Sequence, residues 1–283
     1  MHKVRPDRPL DSVHLDALRH LNTIFRAQGT DYFIIGATAR DILLNHVFGI
    51  PPTRVTVDID FAIALANWDE FRRIRKTLLD SGHFGEPRAG SIHSLVFEQD
   101  NAGFGYPIDL IPFGQIEDPP RNIAWPPDQQ IIMHVGGYHE AAAAAESVEV
   151  APGDIVKVCS LPGLAILKLL AWTERGLADP GDAQDFYVLL KEYANAGNLD
   201  RLYAGDGMAL LADTGFDPDL AGARLIGQDC RQLAGRQTLD NLHAILRDAA
   251  LRDRLILHMG SSRTRPGNDA AIYLDSFERG LIS

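Results

Sequence analysis

The sequence predicts an α+β fold, in which a mixed sheet flanked by helices is followed by a helical C-terminal part. Two observations predict it. In the first half of the chain, short apolar strand-like segments alternate with amphipathic helical ones, whereas from about residue 155 apolar residues recur at helical spacing. In addition, 46% of the 283 residues are apolar and 23% are charged, which is typical of globular proteins. We therefore expect a core over residues 1–155 and a helical domain over residues 156–283.

Charge and composition restrict the classes of function. The net charge of −11 disfavours duplex DNA as the main partner, because non-specific DNA binding depends on neutralising phosphates. A local basic patch for structured RNA, or a carboxylate cluster that needs divalent cations, remains compatible with this charge. Two cysteines are too few for a disulfide framework, and no apolar run reaches the length of a membrane span. We expect a cytoplasmic protein with no membrane association.

The elements of the first part follow from local patterns. A helix is predicted over residues 12–28, with Asp11 or Ser12 as N-cap and Gly29 at its end. The remaining predictions are strands at 32–36, 56–65, 92–98, 106–113, 130–135 and 147–150, helices at 37–49 and 67–82, a surface loop at 119–127, and a helical turn or linker at 141–146. In the second part, helices are predicted at 161–176, 182–197 and 199–213 and in later segments to about 259.

Two acidic residues within an apolar strand are the most informative feature. Asp58 and Asp60 are two residues apart, so their carboxylates project from the same face of the strand, opposite Ile59. Like charges on a half-buried surface repel each other, and a divalent cation with oxygen ligands removes that conflict. Asp109, inside the apolar strand YPIDLIPF, would complete a site for two Mg²⁺ ions, with Mn²⁺ as a substitute.

A glycine between a strand and a helix forms the second part of the pattern. Gly36 permits a close approach of the backbone to a triphosphate, and the N–H groups at a helix N-terminus favour anions. Thr38 lies near that turn. Arg40, one turn into the helix, would pair with a phosphate.

These elements together resemble the DNA-polymerase-β-type nucleotidyltransferase superfamily. The resemblance rests on IIGATARDILL, then RVTVDIDFAI, then IDLIPF. It departs from the family at Ala37, where Gly or Ser is usual, so that Thr38 would have to supply the hydroxyl. Within the superfamily, GATARDILL followed by DIDFAI is similar to the head domain of tRNA CCA-adding enzymes and poly(A) polymerases, but the downstream RRD-type nucleotide-selecting motif of that branch is not found in this sequence. The AbiEii/MenT-like toxin group matches at Arg54, Thr56 and Asp58–Phe61.

The same toxin group carries a downstream Lys and Arg followed by Asp-x-x-Asp. In this chain these are Lys168, Arg175, Asp182 and Asp185. Lys168 and Arg175 are seven residues apart and therefore share one helix face. A lysine that is held by an aspartate and reaches a triphosphate is the kind of group that phosphoryl transfer uses.

The resemblance implies a Mg²⁺-dependent nucleotidyltransferase. It implies that Asp58, Asp60 and Asp109 bind the metals, that Lys168 assists catalysis, and that Gly36, Ala37, Thr38, Arg40, Lys168 and Asp185 bind the NTP. The implied acceptor is an RNA, the tRNA 3′ end, and the implied setting is a toxin–antitoxin or phage-defence system with an antitoxin protein as partner. Two other functions fit the same residues: transfer to a small molecule, as in aminoglycoside-type enzymes, and nucleotide binding without catalysis.

Most of these residues also have a structural interpretation. Asp109 would be a loop acid or a buried, hydrogen-bonded acid, and Gly36 would be an ordinary turn glycine. The pair Asp58 and Asp60 would be a solvated strand face. Arg40 would form a salt bridge with Asp41. In the second part, Asp182 would be a helix N-cap, Asp185 would pair with Lys168 or Arg175, and Lys168 would extend its ammonium to solvent.

Overall fold

A computed structural model describes residues 1–52, 58–88, 91–98, 105–175, 179–261 and 269–282. The chain divides into two compact units. The first consists of Met1–Ile42 and Arg54–Cys159, and the second of Leu43–Thr53 and Ser160–Ser283. The predicted mixed sheet with flanking helices and the helical C-terminal part are both confirmed. The first unit extends beyond residue 155 to Cys159, because a further strand follows there.

The first unit holds the sheets. Its strands are β1 His2–Lys3, β2 Tyr32–Ile35, β3 Ile59–Ala64, β4 Phe84–Gly85, β5 Ser94–Glu98, β6 Gly105–Phe113, β7 Asn122–Ala124, β8 Ile132–His134, β9 Glu146–Ala151 and β10 Asp154–Val158. Its helices are α1 Ser12–Gln28, α2 Gly36–Asp41, α3 Trp68–Asp80 and α4 Tyr138–Ala143. Among the described residues, eight strands form one sheet and β7 and β8 form a second.

The large sheet is mixed. Its strand order is β1-β9-β10-β2-β3-β6-β5-β4. The pairs β1/β9, β10/β2 and β3/β6 are parallel, and the other neighbouring pairs are antiparallel. The centre of the sheet is therefore β2-β3-β6, which are the strands on which the sequence predicts the glycine turn and the three carboxylates.

Local signals form α1 and α3 as predicted. The Asp11 carboxylate accepts a hydrogen bond from the backbone N–H of His14 at 3.0 Å, and Gly29 ends α1 with φ of 66°. Asn67 caps α3 in the same way by accepting from the N–H of Glu70 at 3.0 Å. The residues that α3 buries are Phe71, Ile74 and Leu78, as the apolar spacing predicts.

One face of the sheet is covered by α1. Phe25 of α1 is fully buried, and its ring lies 5.9 Å from the ring of Phe61 and 4.8 Å from that of Tyr32. Because side chains alternate along a strand, Ile59 and Ile63 lie on the same covered face as Phe61. Asp60, which alternates with these apolar residues on β3, projects from the other face.

Two predictions for the first 155 residues are corrected. The helix predicted over 37–49 begins at Gly36, is α-helical only to Asp41 and continues as a π-helix over Ile42–Val47. The predicted surface loop at 119–127 contains β7, which pairs with β8. Ile123 and Trp125 of this segment are buried, and Trp125 packs against aromatic rings of α3, so tertiary packing outweighs the flanking prolines.

The second unit is helical. Its helices are α5 Leu161–Arg175, α6 Gly181–Glu192, α7 Leu199–Leu202, α8 Gly207–Asp213, α9 Pro218–Leu233, α10 Arg236–Arg247, α11 Ala249–Met259 and α12 Ala270–Ile282, with a π-helical turn at Ala194–Asn198. Large apolar side chains such as Trp172, Phe186 and Phe277 are buried between them. Over the described ranges, no helix combines the length and the apolar character that crossing a membrane requires.

Candidate active site

The turn from β2 into α2 brings Gly36 against Asp60. Gly36 has φ of +67°, a conformation that costs other residues energy. A Cβ atom built on Gly36 would lie 2.0 Å from Oδ2 of Asp60. Glycine is therefore required at this position both by the backbone and by the carboxylate that occupies the space of a side chain.

A row of register-paired residues crosses four neighbouring strands at this point. Ile35 pairs with Asp60, Asp60 pairs with Asp109, and Asp109 pairs with Ser94. Residues paired in register on neighbouring strands project from the same face of a sheet, so the carboxylates of Asp60 and Asp109 are neighbours on one face. Asp58 precedes Asp60 by two residues and lies just before β3, where continued strand alternation would project it from this face as well.

The exposure, chemistry and spacing of these half-buried carboxylates determine whether they can bind a metal ion. Asp58, Asp60 and Asp109 each have intermediate exposure, whereas Ile59 and Phe61 on the opposite face are buried. Carboxylate oxygens are the ligands that Mg²⁺ and Mn²⁺ prefer, so the donor set fits a hard divalent cation. Within the described residues, however, no three Asp, Glu, His or Cys side chains converge closely enough to form a metal cluster.

The α2 residues that were predicted to bind phosphate have protein partners. The hydroxyl of Thr38 donates a hydrogen bond to the backbone carbonyl of Asp58 at 2.7 Å, and thus connects α2 to the start of β3. Arg40 is only 2% exposed, and its guanidinium donates to Oδ1 of Asp41 at 2.8 and 2.6 Å. Ala37 is buried. The salt bridge from Arg40 to Asp41 thus exists as the structural interpretation predicts, although it is buried and not on the surface.

Lys168 forms a compact ionic network within the second unit. Its ammonium lies 2.9 Å from Oδ1 of Asp182 and 2.8 Å from Oδ2 of Asp185, and Arg175 donates to Oδ2 of Asp182 at 2.8 Å. Burial by itself would lower the pKa of Lys168, but the charges of Asp185 and Asp182 and their hydrogen bonds outweigh burial and raise that pKa above its ordinary value. The ammonium is therefore held in its charged form.

This network tests the structural interpretations of Asp182, Lys168 and Asp185. α6 begins at Gly181 with Pro180 at the N-cap position, so the interpretation of Asp182 as an N-cap is wrong. Lys168 is buried, so the interpretation that its ammonium extends to solvent is wrong as well. The predicted pairing of Asp185 with Lys168 is confirmed.

Two polar groups near the acidic row were not predicted. Ser94 donates a hydrogen bond from its hydroxyl to Oδ1 of Asp109 at 2.5 Å. On β6, the hydroxyl of Tyr106 contacts Nε2 of His14, whose Nδ1 in turn contacts the carboxylate of Asp11. Only the strand register places Ser94 beside Asp109, and the sequence alone does not give that register. Tyr106 lies three residues before Asp109, which is by itself no signal.

The environment of Tyr106 shows how acidic this end of the sheet is. Burial raises the pKa of the Tyr106 hydroxyl above its ordinary value, and the charges of Asp11, Asp58 and Asp41 raise it further. Carboxylates from α1, α2 and the start of β3 therefore act on one hydroxyl. Such a concentration of negative charge favours the binding of cations.

Comparison with solved structures finds several weak similarities. An antigenic nucleotidyltransferase-like protein from Paracoccidioides brasiliensis is 17% identical over 76% of this chain and 94% of that chain, with a TM-score of 0.45. The antibiotic-resistance factor ANT(2'')-Ia is 14% identical over 74% of this chain and 100% of that chain, with a TM-score of 0.39. A CCA-adding enzyme in complex with ATP is 15% identical over 95% of this chain and 67% of that chain, with a TM-score of 0.32.

Sequence comparisons add no family assignment. No protein-family model matches the chain, and no curated protein is significantly similar to it. Since the structural similarities have identities of 17% or lower and TM-scores of 0.45 or lower, a function has to be argued from the residues of the site.

Proposed function

We propose that this protein is a nucleotidyltransferase that depends on a divalent cation and transfers a nucleoside monophosphate from an NTP to an acceptor hydroxyl, with release of pyrophosphate. The observation that carries the proposal is the position of the Asp60 carboxylate directly over Gly36, with Asp109 beside Asp60 in strand register. The pairing of β2 with β3 and of β3 with β6 brings this glycine turn and two carboxylates, which are far apart in sequence, to one point of the sheet.

Each group in the row has a proposed role. Asp60 and Asp109, which are half-buried neighbours in strand register, would hold Mg²⁺ or Mn²⁺. Asp58 would have to move toward them to complete the ligand set, since no three acidic side chains converge among the described residues. Gly36 and Ala37 would let the triphosphate approach the backbone, since neither has a large side chain. Thr38 would keep Asp58 in place through its bond to the carbonyl of that residue. The bound cation would supply charge neutralisation for the triphosphate and lower the pKa of the acceptor hydroxyl.

Lys168 and Arg40 have proposed roles that depend on their ion pairs. A lysine held in the charged state by two aspartates is suited to an anionic ligand. For Lys168 to bind the NTP, however, a phosphate would have to compete with Asp182 and Asp185. Arg40 would likewise share its guanidinium between Asp41 and a phosphate. We therefore propose that Lys168 and Arg40 bind the nucleotide but contribute less to its affinity than the cation held by the carboxylates. Asp185 would be the partner that positions Lys168.

The proposed acceptor is an RNA, the tRNA 3′ end, in a toxin–antitoxin or phage-defence system with an antitoxin partner. The support for this choice is the sequence resemblance to the AbiEii/MenT-like group. Part of that resemblance, Arg54 and Thr56, lies outside the described residues. Asp58–Phe61, which also belong to it, lie at the start of β3. The downstream part, from Lys168 to Asp185, forms the ionic network of the second unit.

A small-molecule acceptor is the second candidate. The net charge of −11 favours a cationic acceptor over a polyanionic RNA. Incubation with each α-³²P-labelled NTP, Mg²⁺ and total tRNA separates the two. We expect labelled tRNA with the wild type and none with Asp60→Asn. Unlabelled tRNA together with aminoglycoside resistance in expressing cells would support the small-molecule acceptor. NTP binding without transfer to RNA, protein or small molecule would overturn the enzymatic proposal.

A further inference from the structure

The row of register-paired residues ends with Ser94, one strand beyond Asp109. Ser94 is the first residue of β5 and pairs in register with Asp109 of β6. Its hydroxyl lies 2.5 Å from Oδ1 of Asp109, and both side chains are half-buried. The series Asp60, Asp109 and Ser94 therefore runs across three neighbouring strands on one face of the sheet.

The direction of this hydrogen bond follows from the chemistry of the two groups. An ionised carboxylate can only accept hydrogen bonds, so the hydroxyl of Ser94 is the donor and Asp109 is the acceptor. Hydrogen bonds from a hydroxyl to a carboxylate are short, and they are stronger than bonds between neutral groups. With Oδ1 engaged in this way, rotation of the carboxylate about its Cβ–Cγ bond is restricted.

The backbone around Ser94 is itself fixed on two sides. The N–H of Leu110 on β6 donates to the carbonyl of His93 at 2.8 Å. From α3, Arg75 donates to the carbonyl of Ile92 at 3.0 Å and to that of Ser94 at 3.5 Å. Ser94 therefore presents its hydroxyl from a rigid strand, which is what a group that orients a metal ligand requires.

We propose that Ser94 is a positioning residue that orients the Asp109 carboxylate for binding the divalent cation. The proposal rests on the proposed function, because it requires that Asp109 belongs to a cation site. Ser94 itself would not touch the cation or the substrate. Its effect would be on the affinity of the site for the cation, since partners of metal ligands change affinity through the orientation and basicity of those ligands.

The test compares three variants of the full chain. Ser94→Ala removes the donor, and Ser94→Thr keeps a hydroxyl on a side chain that suits a strand. Ser147→Ala makes the same change on β9 of the same sheet, five positions away from β5 in the strand order. The first readout is the affinity for Mn²⁺ without nucleotide, measured by electron paramagnetic resonance. The second readout is the Mg²⁺ concentration that gives half-maximal NTP turnover.

We expect Ser94→Ala to weaken Mn²⁺ binding by about tenfold, the lower end of the range for partners of metal ligands. The half-maximal Mg²⁺ concentration should rise by a similar factor, while kcat at saturating Mg²⁺ stays near that of the wild type. Ser94→Thr should bind Mn²⁺ within about twofold of the wild type, because the donor is restored. Ser147→Ala should match the wild type in both readouts.

Other outcomes would overturn the inference. Wild-type Mn²⁺ affinity in Ser94→Ala, whatever its melting temperature, would show that Ser94 does not orient Asp109 for the cation and would leave the cation site intact. Equal weakening in Ser94→Ala and Ser94→Thr would show that the size of the side chain matters and not its hydroxyl. Absence of Mn²⁺ binding in the wild type would refute the cation site of the proposed function, and the role of Ser94 with it.

Discussion

The carboxylate of Asp60 occupies the space that a side chain on residue 36 would need. Oδ2 of Asp60 would be 2.0 Å from a Cβ atom on Gly36, well inside any van der Waals contact. This contact joins the end of β2 to the acidic face of β3, and it makes the identity of residue 36 a direct determinant of where Asp60 points.

Replacing Gly36 by alanine should therefore displace Asp60. We expect Gly36→Ala to lower NTP turnover by at least about 100-fold, since a misplacement of about 1 Å is enough for such a loss. Gly29→Ala is a matched control, because Gly29 has nearly the same φ, +66° against +67°, but nothing within 4 Å of its Cβ position. Both variants should lose about 1 kcal/mol from backbone strain. Equal activity in the two variants would contradict the role of the Asp60 contact.

The bond from Thr38 to Asp58 predicts a difference between two conservative variants. Thr38→Val keeps the shape but removes the donor, which leaves the carbonyl of Asp58 without this partner. The free energy of unfolding should fall by about 1–2 kcal/mol in Thr38→Val and by less in Thr38→Ser, as measured by urea denaturation. If the two variants were equally stable, the hydroxyl would have no role in fixing the start of β3.

The ionic network of the second unit predicts a large effect for Lys168→Met. This change leaves Asp182 and Asp185 buried without their shared cation, which costs about 3–5 kcal/mol of unfolding free energy. Lys191→Met is the control, because the side chain of Lys191 is 37% exposed and its ion pair with Asp269 should contribute about 1 kcal/mol or less. Similar losses of unfolding free energy in the two variants would show that burial does not make the Lys168 network more important for stability than an exposed ion pair.

The same network predicts a loss of stability at alkaline pH. The folded protein raises the pKa of Lys168 above its ordinary value, so the folded state binds this proton more tightly than the unfolded state. The contribution of Lys168 is therefore complete below about pH 10.4, its unfolded pKa, and is lost as pH rises through the higher folded pKa. Urea denaturation at several pH values should show the gap between wild type and Lys168→Met narrowing above pH 10.4. A gap that is constant or widens would contradict the raised pKa.

Features that depend on local sequence were predictable. The spacing of apolar residues and the caps at Asp11 and Gly29 define α1 to the residue, because each signal acts within one helical turn. The same holds for Phe71, Ile74 and Leu78 as the buried face of α3. The two-residue period of a strand also predicts a common face for Asp58 and Asp60; the structure places Asp60 on β3, and the orientation of Asp58 stays a prediction.

Features that depend on contacts between distant residues were not predictable. β7 is short and lies between prolines, and its burial comes from the packing of Trp125 on Trp68 and Phe71. Asp182 looks like an N-cap in sequence because it follows a glycine, whereas its carboxylate binds Lys168 on the preceding helix. Ser94 reaches Asp109 only through the register of β5 and β6, which a single sequence does not encode in its local pattern.

The central claim is that the carboxylates beside Gly36 bind a divalent cation, and titration with Mn²⁺ followed by electron paramagnetic resonance tests it most directly. Wild-type protein should bind Mn²⁺ saturably, and Asp60→Asn and Asp109→Asn should each weaken binding by at least about tenfold. Asp80→Asn, at the exposed end of α3 where Asp80 pairs with Lys76, should bind like the wild type. Failure of the wild type to bind Mn²⁺, or unchanged binding in Asp60→Asn and Asp109→Asn, would contradict the claim.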